Sequence, residues 1–307
     1  MWGIVPAAGR GTRLQPLAFS KELLPLGSRV DNGVERPCAV SEYLLERMIM
    51  AGADKICIVI SPDKLDILGY FGDCYGSAHI VYAVQPRPCG LCDAVFRAHP
   101  LMTDNEPVIV GLPDTIWFPD QALATLPDDV LSFLLFPVER PEFFDAVVLD
   151  GAGRVSQIEV KRPNASSHWI WGAFKIPGRV FPALRRLWIA RGRADEYFGT
   201  LINAYLADGG TALGIRAGVA YVDVGTLNGY RAAMALLAEQ SAMGTSAKAV
   251  HAIGRPAGRA PTTVARSAGG PPALPPPYPP PQAGEGISKY PPPLAGEGRA
   301  AAGGAHD

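Results

Sequence analysis

The chain has 307 residues, 48% hydrophobic and 19% charged, with 28 Lys and Arg against 29 Asp and Glu. Near-neutral charge excludes the broad basic surface of a nucleic-acid coat, and no run of eighteen apolar residues is present to cross a membrane. Five cysteines form an odd, sparse set that suits a reducing compartment better than a disulfide framework. Met1 to Pro6 lack the basic start and long apolar stretch of a secretory signal, so the expectation is a cytoplasmic protein with neither nucleic acid nor membrane as partner.

Short apolar runs then alternate with helical spacing. Gly3 to Ala7 reads as a buried strand running into a glycine loop, Val40 to Ala51 as a helix, and Lys55 to Ile60 as a strand bounded by Gly52 and Pro62. Ile80 to Val84 is a strand, Cys92 to His99 a helix and Pro107 to Leu112 a strand. That order predicts an α/β fold of Rossmann-like type: a mixed, mainly parallel sheet flanked by helices. Strands follow at Ser132 to Val138, Ala146 to Leu149, Val155 to Glu159 and Trp169 to Phe174, then helices at Pro182 to Ala190 and Glu196 to Ala207. Val219 to Asp223 is the last expected strand and Thr226 to about Glu239 the last helix. Beyond it, residues 241–307 hold 13 of the 30 prolines and 11 of the 34 glycines, and Tyr278-Pro-Pro-Pro-Gln-Ala-Gly-Glu-Gly returns at Tyr290 with Leu for Gln. A segment so poor in large apolar residues cannot offset its ordering entropy. The chain therefore divides into a domain over 1–240 and a disordered tail over 241–307.

In open α/β sheets ligands sit beyond the carboxyl ends of the strands. After the first strand comes Pro6-Ala-Ala8-Gly9-Arg-Gly11-Thr12-Arg13, with Lys21 in Ser20-Lys21-Glu22-Leu-Leu-Pro25. Glycines let the backbone approach a phosphate and aim several N–H groups at it, and Arg13 adds a charged fork. On spacing alone the loop is equally a plain turn. Asp114 and Asp223 each follow an apolar run; at one sheet edge they would repel unless a cation bridged them, and oxygen ligands favour Mg²⁺. Either aspartate alone equally reads as a turn or cap residue. Cys89-x-x-Cys92 lacks the second pair that a zinc site needs.

Gly-x-Gly-Thr-Arg-Leu followed by Lys-x-Leu-Leu-Pro resembles the start of the sugar-phosphate nucleotidyltransferases. Tyr82-Ala-Val-Gln85 through Gly90-Leu-Cys-Asp-Ala94, Gly111-Leu-Pro-Asp114 and Tyr221-Val-Asp223-Val-Gly225-Thr226 continue the resemblance in order over residues 1–240. It implies an enzyme that joins a nucleoside monophosphate to a sugar 1-phosphate and releases pyrophosphate. The triphosphate would lie on Ala8, Gly9, Gly11, Thr12 and Arg13, its base read by Gln85 and Gly90. Arg13, Lys21 and Asp114 would serve the chemistry, and Asp114 and Asp223 would hold Mg²⁺. Lys161 would bind the sugar phosphate, in Ile158-Glu159-Val160-Lys161-Arg162-Pro163. The family pattern there is Glu-Lys-Pro, its glutamate on sugar hydroxyls; Val160 stands at that place, and Glu159 is the candidate substitute. Gly172 matches a glycine that makes room for the sugar. The resemblance favours dTTP and glucose 1-phosphate, with UTP second. A nucleotide-sugar sensor without turnover is the rival reading. The family often forms homo-oligomers, so the resemblance allows self-association, although the sequence shows no folded C-terminal assembly domain.

Overall fold

Lys55–Ile60 is five β-branched or apolar residues after one lysine, and all five are buried, as a central parallel strand covered on both faces requires. In the computed structural model, which describes residues 1–252 apart from 32 and 104, this strand lies within a mixed sheet. The strands are β1 (Trp2–Pro6), β2 (Pro25–Asp31), β3 (Val34–Ala39), β4 (Lys55–Ile60), β5 (Cys74–Tyr75), β6 (Ala78–Val84) and β7 (Val108–Gly111). They continue as β8 (Thr115–Phe118), β9 (Leu131–Pro137), β10 (Asp145–Leu149), β11 (Val155–Val160), β12 (Trp169–Ile176), β13 (Ala212–Ile215) and β14 (Ala220–Asp223). The α-helices are α1 (Val40–Met50), α2 (Leu65–Phe71), α3 (Gly90–Arg97), α4 (Val180–Ala190), α5 (Phe198–Ala207) and α6 (Leu227–Ala252).

The sheet order is β11-β10-β12-β7-β1-β4-β6-β5, with β9 against β12 and β13 against β9. From β7 to β6 it is parallel; β12, β10 and β11 join antiparallel. Alternate residues feed opposite faces. Ile4, Cys57, Val59 and Val110 pack under Phe96 of α3, Leu184 and Trp188 of α4 and Phe198 of α5. Val5, Ile56, Ile58 and Ile109 pack under Leu44, Leu45 and Met48 of α1 and Ile67 and Phe71 of α2. The expected α/β sheet flanked by helices is the observed one.

Two pairs of strands stand off this sheet. β2 and β3 form an antiparallel hairpin, and β8 pairs antiparallel with β14. Val219 to Asp223, expected as the last strand, therefore belongs to a ribbon rather than to the sheet. Leu24, Leu26, Val40, Ile116, Val224 and Ala233 form a third small core where hairpin, ribbon and α6 meet. α6 runs to Ala252, past the end expected near Glu239, because no proline or paired glycine interrupts residues 240–252. The expected disorder of the tail lies, from 253 onward, outside the described residues. No described helix is long and apolar enough to cross a membrane.

Candidate functional site

The glycine loop begins where β1 ends. Ala7 N–H donates to Val59 O at 2.8 Å, keeping the chain in the sheet for one more residue, and Ala8 is buried. Gly11 is left-handed, φ 63°, and a Cβ there would lie 2.8 Å from Lys21 Cδ. Only glycine lets the loop cross the Lys21 stem in this conformation. Lys64, before α2, donates through Nζ to Ala7 O at 2.7 Å and to both Glu22 oxygens at 2.8 Å. This buried ion pair ties the loop to the turn carrying Lys21. Burial pushes the Glu22 carboxyl above its ordinary range, although Lys64 and Lys21 pull it down.

The two aspartates meet through the ribbon. Asp114 immediately precedes β8, and Asp223, the last residue of β14, pairs with Thr115; Val224 N–H donates to Asp114 O at 2.8 Å. Lys21 Nζ reaches Asp114 Oδ2 at 2.5 Å, and Arg13 reaches Asp223 Oδ2 at 3.5 Å. Burial lowers the proton affinity of Lys21, but Asp114, Glu22 and Asp223 outweigh it, and its pKa rises. Burial and the neighbouring Asp114 charge push Asp223 up, opposed by the Gly225 N–H, Arg13 and Lys21. Two hard oxygen donors that still repel each other suit a divalent cation. Among the described residues no group of three or more His, Cys, Asp or Glu gathers as a metal cage. A cation here would need phosphate oxygens and water to complete its shell, as Mg²⁺ usually does.

Gly9, Arg13, Lys21, Asp114 and Asp223 line a cleft of about 600 Å³ together with Asp145, Lys161, Trp171, Tyr197 and Tyr221. Lys161 follows β11 with φ 44°, unusual for a residue with a side chain. Its N–H is held by Phe144 O at 2.9 Å, and its ammonium lies 4.5 Å from the centre of the Tyr197 ring. Such conformations persist where the surroundings over-determine them, often at functional sites. Burial raises the Tyr221 phenol well above its ordinary range, as do Asp223 and Asp114, so it faces the cleft neutral.

Several expected residues do not line this cleft. Glu159 does not enter the cleft: its oxygens accept from Arg162 Nη1 at 2.9 Å, Ser166 N at 2.6 Å and Ser166 Oγ at 3.0 Å. The one-residue offset from Val160 puts it on the other face of the strand. A Cβ on Gly172 would lie 2.6 Å from Phe136 and 2.8 Å from Tyr221, so that glycine seats the aromatic behind the cleft wall. Thr12 opens onto a neighbouring hollow shared with Lys21 and Lys64. Gln85 is buried, its Nε2 donating to Gly90 O at 3.1 Å and Asp93 Oδ2 at 2.8 Å. Gly90 is left-handed, φ 87°, and a Cβ there would lie 2.7 Å from Glu196 O; Leu91, the next residue, reaches the cleft. Cys89 is exposed and Cys92 buried in the core.

Asp145 and Tyr197 are cleft residues that the sequence reading did not single out, and Trp171, which reads from sequence more readily as core than as a stacking platform, packs in the core and also lines the cleft. Asp145 follows Phe143-Phe144 as an ordinary strand start, and nothing local distinguishes it. Burial pushes its carboxyl up to about 6, against the Trp171 indole N–H, Lys161 and the Gly199 N–H, which lower it.

Residues 2–240 match the Nucleotidyl transferase family. The glucose-1-phosphate thymidylyltransferase of Neisseria meningitidis is 30% identical over 239 residues, 74% of this chain and 78% of that protein. A UTP–glucose-1-phosphate uridylyltransferase of Mycoplasma pneumoniae is 30% identical over 142 residues, 38% of this chain and 45% of that protein. Among solved structures, a glucose-1-phosphate thymidylyltransferase of Bacillus anthracis superimposes with TM-score 0.63 at 23% identity, over 77% of this chain and 95% of that one. The UTP-bound UGPase of Acinetobacter baumannii gives 0.62 at 20%, over 77% and 92%. With a matched span that reaches from the first strand into the last helix and takes in every charged residue of the cleft, the chain belongs to the nucleotidyl transferase family.

Proposed function

We propose that the protein is a sugar-1-phosphate nucleotidyltransferase, using dTTP ahead of UTP and glucose 1-phosphate as acceptor. The observation that carries the reading is that one cleft gathers Gly9 of the glycine loop, Arg13, Lys21, a repelling aspartate pair and Lys161. An oxygen of the sugar phosphate attacks the α-phosphorus of the triphosphate; the bond to the β-phosphate oxygen breaks and pyrophosphate leaves. The attacking oxygen is already anionic, so no general base is needed. Rate comes from positioning and charge neutralisation. Lys161 orients the sugar phosphate, Lys21 neutralises charge at the α-phosphate and Arg13 does so at the departing pyrophosphate. The loop N–H groups from Gly9 to Thr12 cradle the triphosphate. Asp114 and Asp223 are the residues that would hold Mg²⁺, whose charge would help draw the phosphate oxygens into line.

The thymidylyltransferase relative that spans three quarters of the chain supports dTTP over UTP. Gln85 spends its amide donors on Gly90 and Asp93, leaving its carbonyl as the group to face a base N–H. One methyl separates thymine from uracil, worth only about 1–3 kcal/mol, so both pyrimidines should react. The test is pyrophosphate release from dTTP, UTP, ATP and GTP with glucose 1-phosphate. The expected ranking is dTTP, then UTP by a modest factor, then purines far behind. A purine preference would remove Gln85 from base recognition, and release that does not depend on a sugar phosphate would overturn the activity.

A further inference from the structure

The register that carries β11 to Lys161 also sets an acidic residue at the cleft wall from the neighbouring strand. Asp145 opens β10, and its partner across the antiparallel ladder is Val160. On β11 itself no carboxylate enters the cleft, because position 160 is valine and Glu159 is engaged with Arg162 and Ser166. Directly across the ladder, Asp145 lines the cleft together with Lys161, Trp171 and Tyr197.

Its surroundings are shaped to admit it. A Cβ on Gly199, near the start of α5, would lie 3.0 Å from Asp145 Oδ2 and 2.8 Å from a Val160 methyl, so any larger residue there would crowd the carboxylate. Burial makes the charged carboxyl costly, and the nearby donors do not offset that cost. Trp171 Nε1 is buried beside this carboxylate and closes no well-formed hydrogen bond to it. An incompletely neutralised carboxylate beside an N–H that meets it only poorly weakens the fold. Both are satisfied at once by a ligand whose neighbouring groups each donate and accept, which is what ring hydroxyls do.

We propose that Asp145 is the residue that reads the sugar: its carboxylate accepts from ring hydroxyls of the sugar 1-phosphate, with the Trp171 N–H donating to one of their oxygens and Lys161 holding the phosphate. The assignment rests on the sugar-1-phosphate reading of the cleft, and it places hydroxyl recognition on β10 rather than on β11.

The test compares the full chain with D145N and D145A, measuring kcat and KM separately for glucose 1-phosphate and for the triphosphate, with melting at pH 8. Losing a charged hydrogen bond should raise KM for glucose 1-phosphate about tenfold or more, with KM for the triphosphate nearly unchanged. D145N should melt at the same or a higher temperature. Among monodeoxy analogues of glucose 1-phosphate, at least one that the wild-type chain uses poorly should be used by D145A as well as glucose 1-phosphate itself. Equal rises in both KM values, a lower melting temperature for D145N, or identical analogue penalties in wild type and D145A would each overturn the assignment. Absence of any sugar-dependent pyrophosphate release from the wild-type chain is a different failure: it removes the sugar-1-phosphate reading, and the assignment with it.

Discussion

Asp145 and Asp223 are both carboxylates made costly by burial, yet they differ in what relieves them. Asp145 holds its proton in the folded protein up to about pH 6, whereas an unfolded aspartate releases it near pH 4. Between those values the folded state binds more protons, so stability falls as pH rises through that window and is level above it. D145N removes this slope. Above pH 6 it should be more stable than the parent by about 3 kcal/mol, read from denaturant midpoints at pH 4, 6 and 8; a parallel loss of stability at every pH would show that the carboxylate supports the fold. Asp223 is raised by Asp114 beside it, and a cation or the arriving phosphates' counterions relieve that repulsion. D223N should keep the fold and lower kcat by about a hundredfold or more, and turnover unchanged at saturating Mg²⁺ would remove Asp223 from the site. Lys64 acts at one remove: K64M strands the buried Glu22 carboxylate and should cost about 3–5 kcal/mol, with K64M/E22Q recovering part of it. Equal stability of the two variants would show that the pair does not brace the loop. Asp114 and Asp223 stood out in the sequence because each follows an apolar run, whereas Arg13, Lys21 and Lys161 were picked out by the motifs that carry the family resemblance. Asp145 was not, since its proximity to Lys161 comes from an antiparallel register that no local pattern encodes.

At the scale of elements, the ribbon of β8 and β14 turns two distant strand ends into one acidic pair. The short β8 run, Thr115-Ile-Trp-Phe118, follows β7 after only three residues, too close to read as a separate strand, so the expected sheet edge is in fact a ribbon off the sheet. The hairpin of β2 and β3 did have a signal in the sequence, since an Asn-Gly pair between two extended runs favours a hairpin connection. The β4, β6 and β7 strands were readable because their apolar runs are continuous. Gly90 shows why an element boundary moved. It opens α3 with φ 87°, beneath the Glu196 backbone, so the helix starts two residues before its apolar spacing begins at Cys92. G90A introduces both strain and a clash with the backbone before α5. It should lower stability by about 1–3 kcal/mol, visible as a drop in melting temperature; an unchanged melting point would contradict the close approach of Glu196.

For the whole molecule, the three apolar cores and the cleft all draw on residues up to Leu237, and the family match ends at 240. A chain ending at Ala252 should therefore melt and turn over like the full chain, and a clear fall in either would assign a structural role to residues 253–307. The sheet provides the rigid floor, with the parallel half delivering the glycine loop and the antiparallel half delivering Lys161 and Asp145. This division matches the two halves of the proposed chemistry, in which the triphosphate would lie against the first and the sugar phosphate against the second. The most direct measurement is a product analysis of the full chain with Mg²⁺, dTTP and glucose 1-phosphate, quantifying pyrophosphate and nucleotide sugar together. The account predicts equal amounts of the two, both abolished by omitting the sugar phosphate. Pyrophosphate formed without it, or no nucleotide sugar from any pyrimidine triphosphate, would contradict the account.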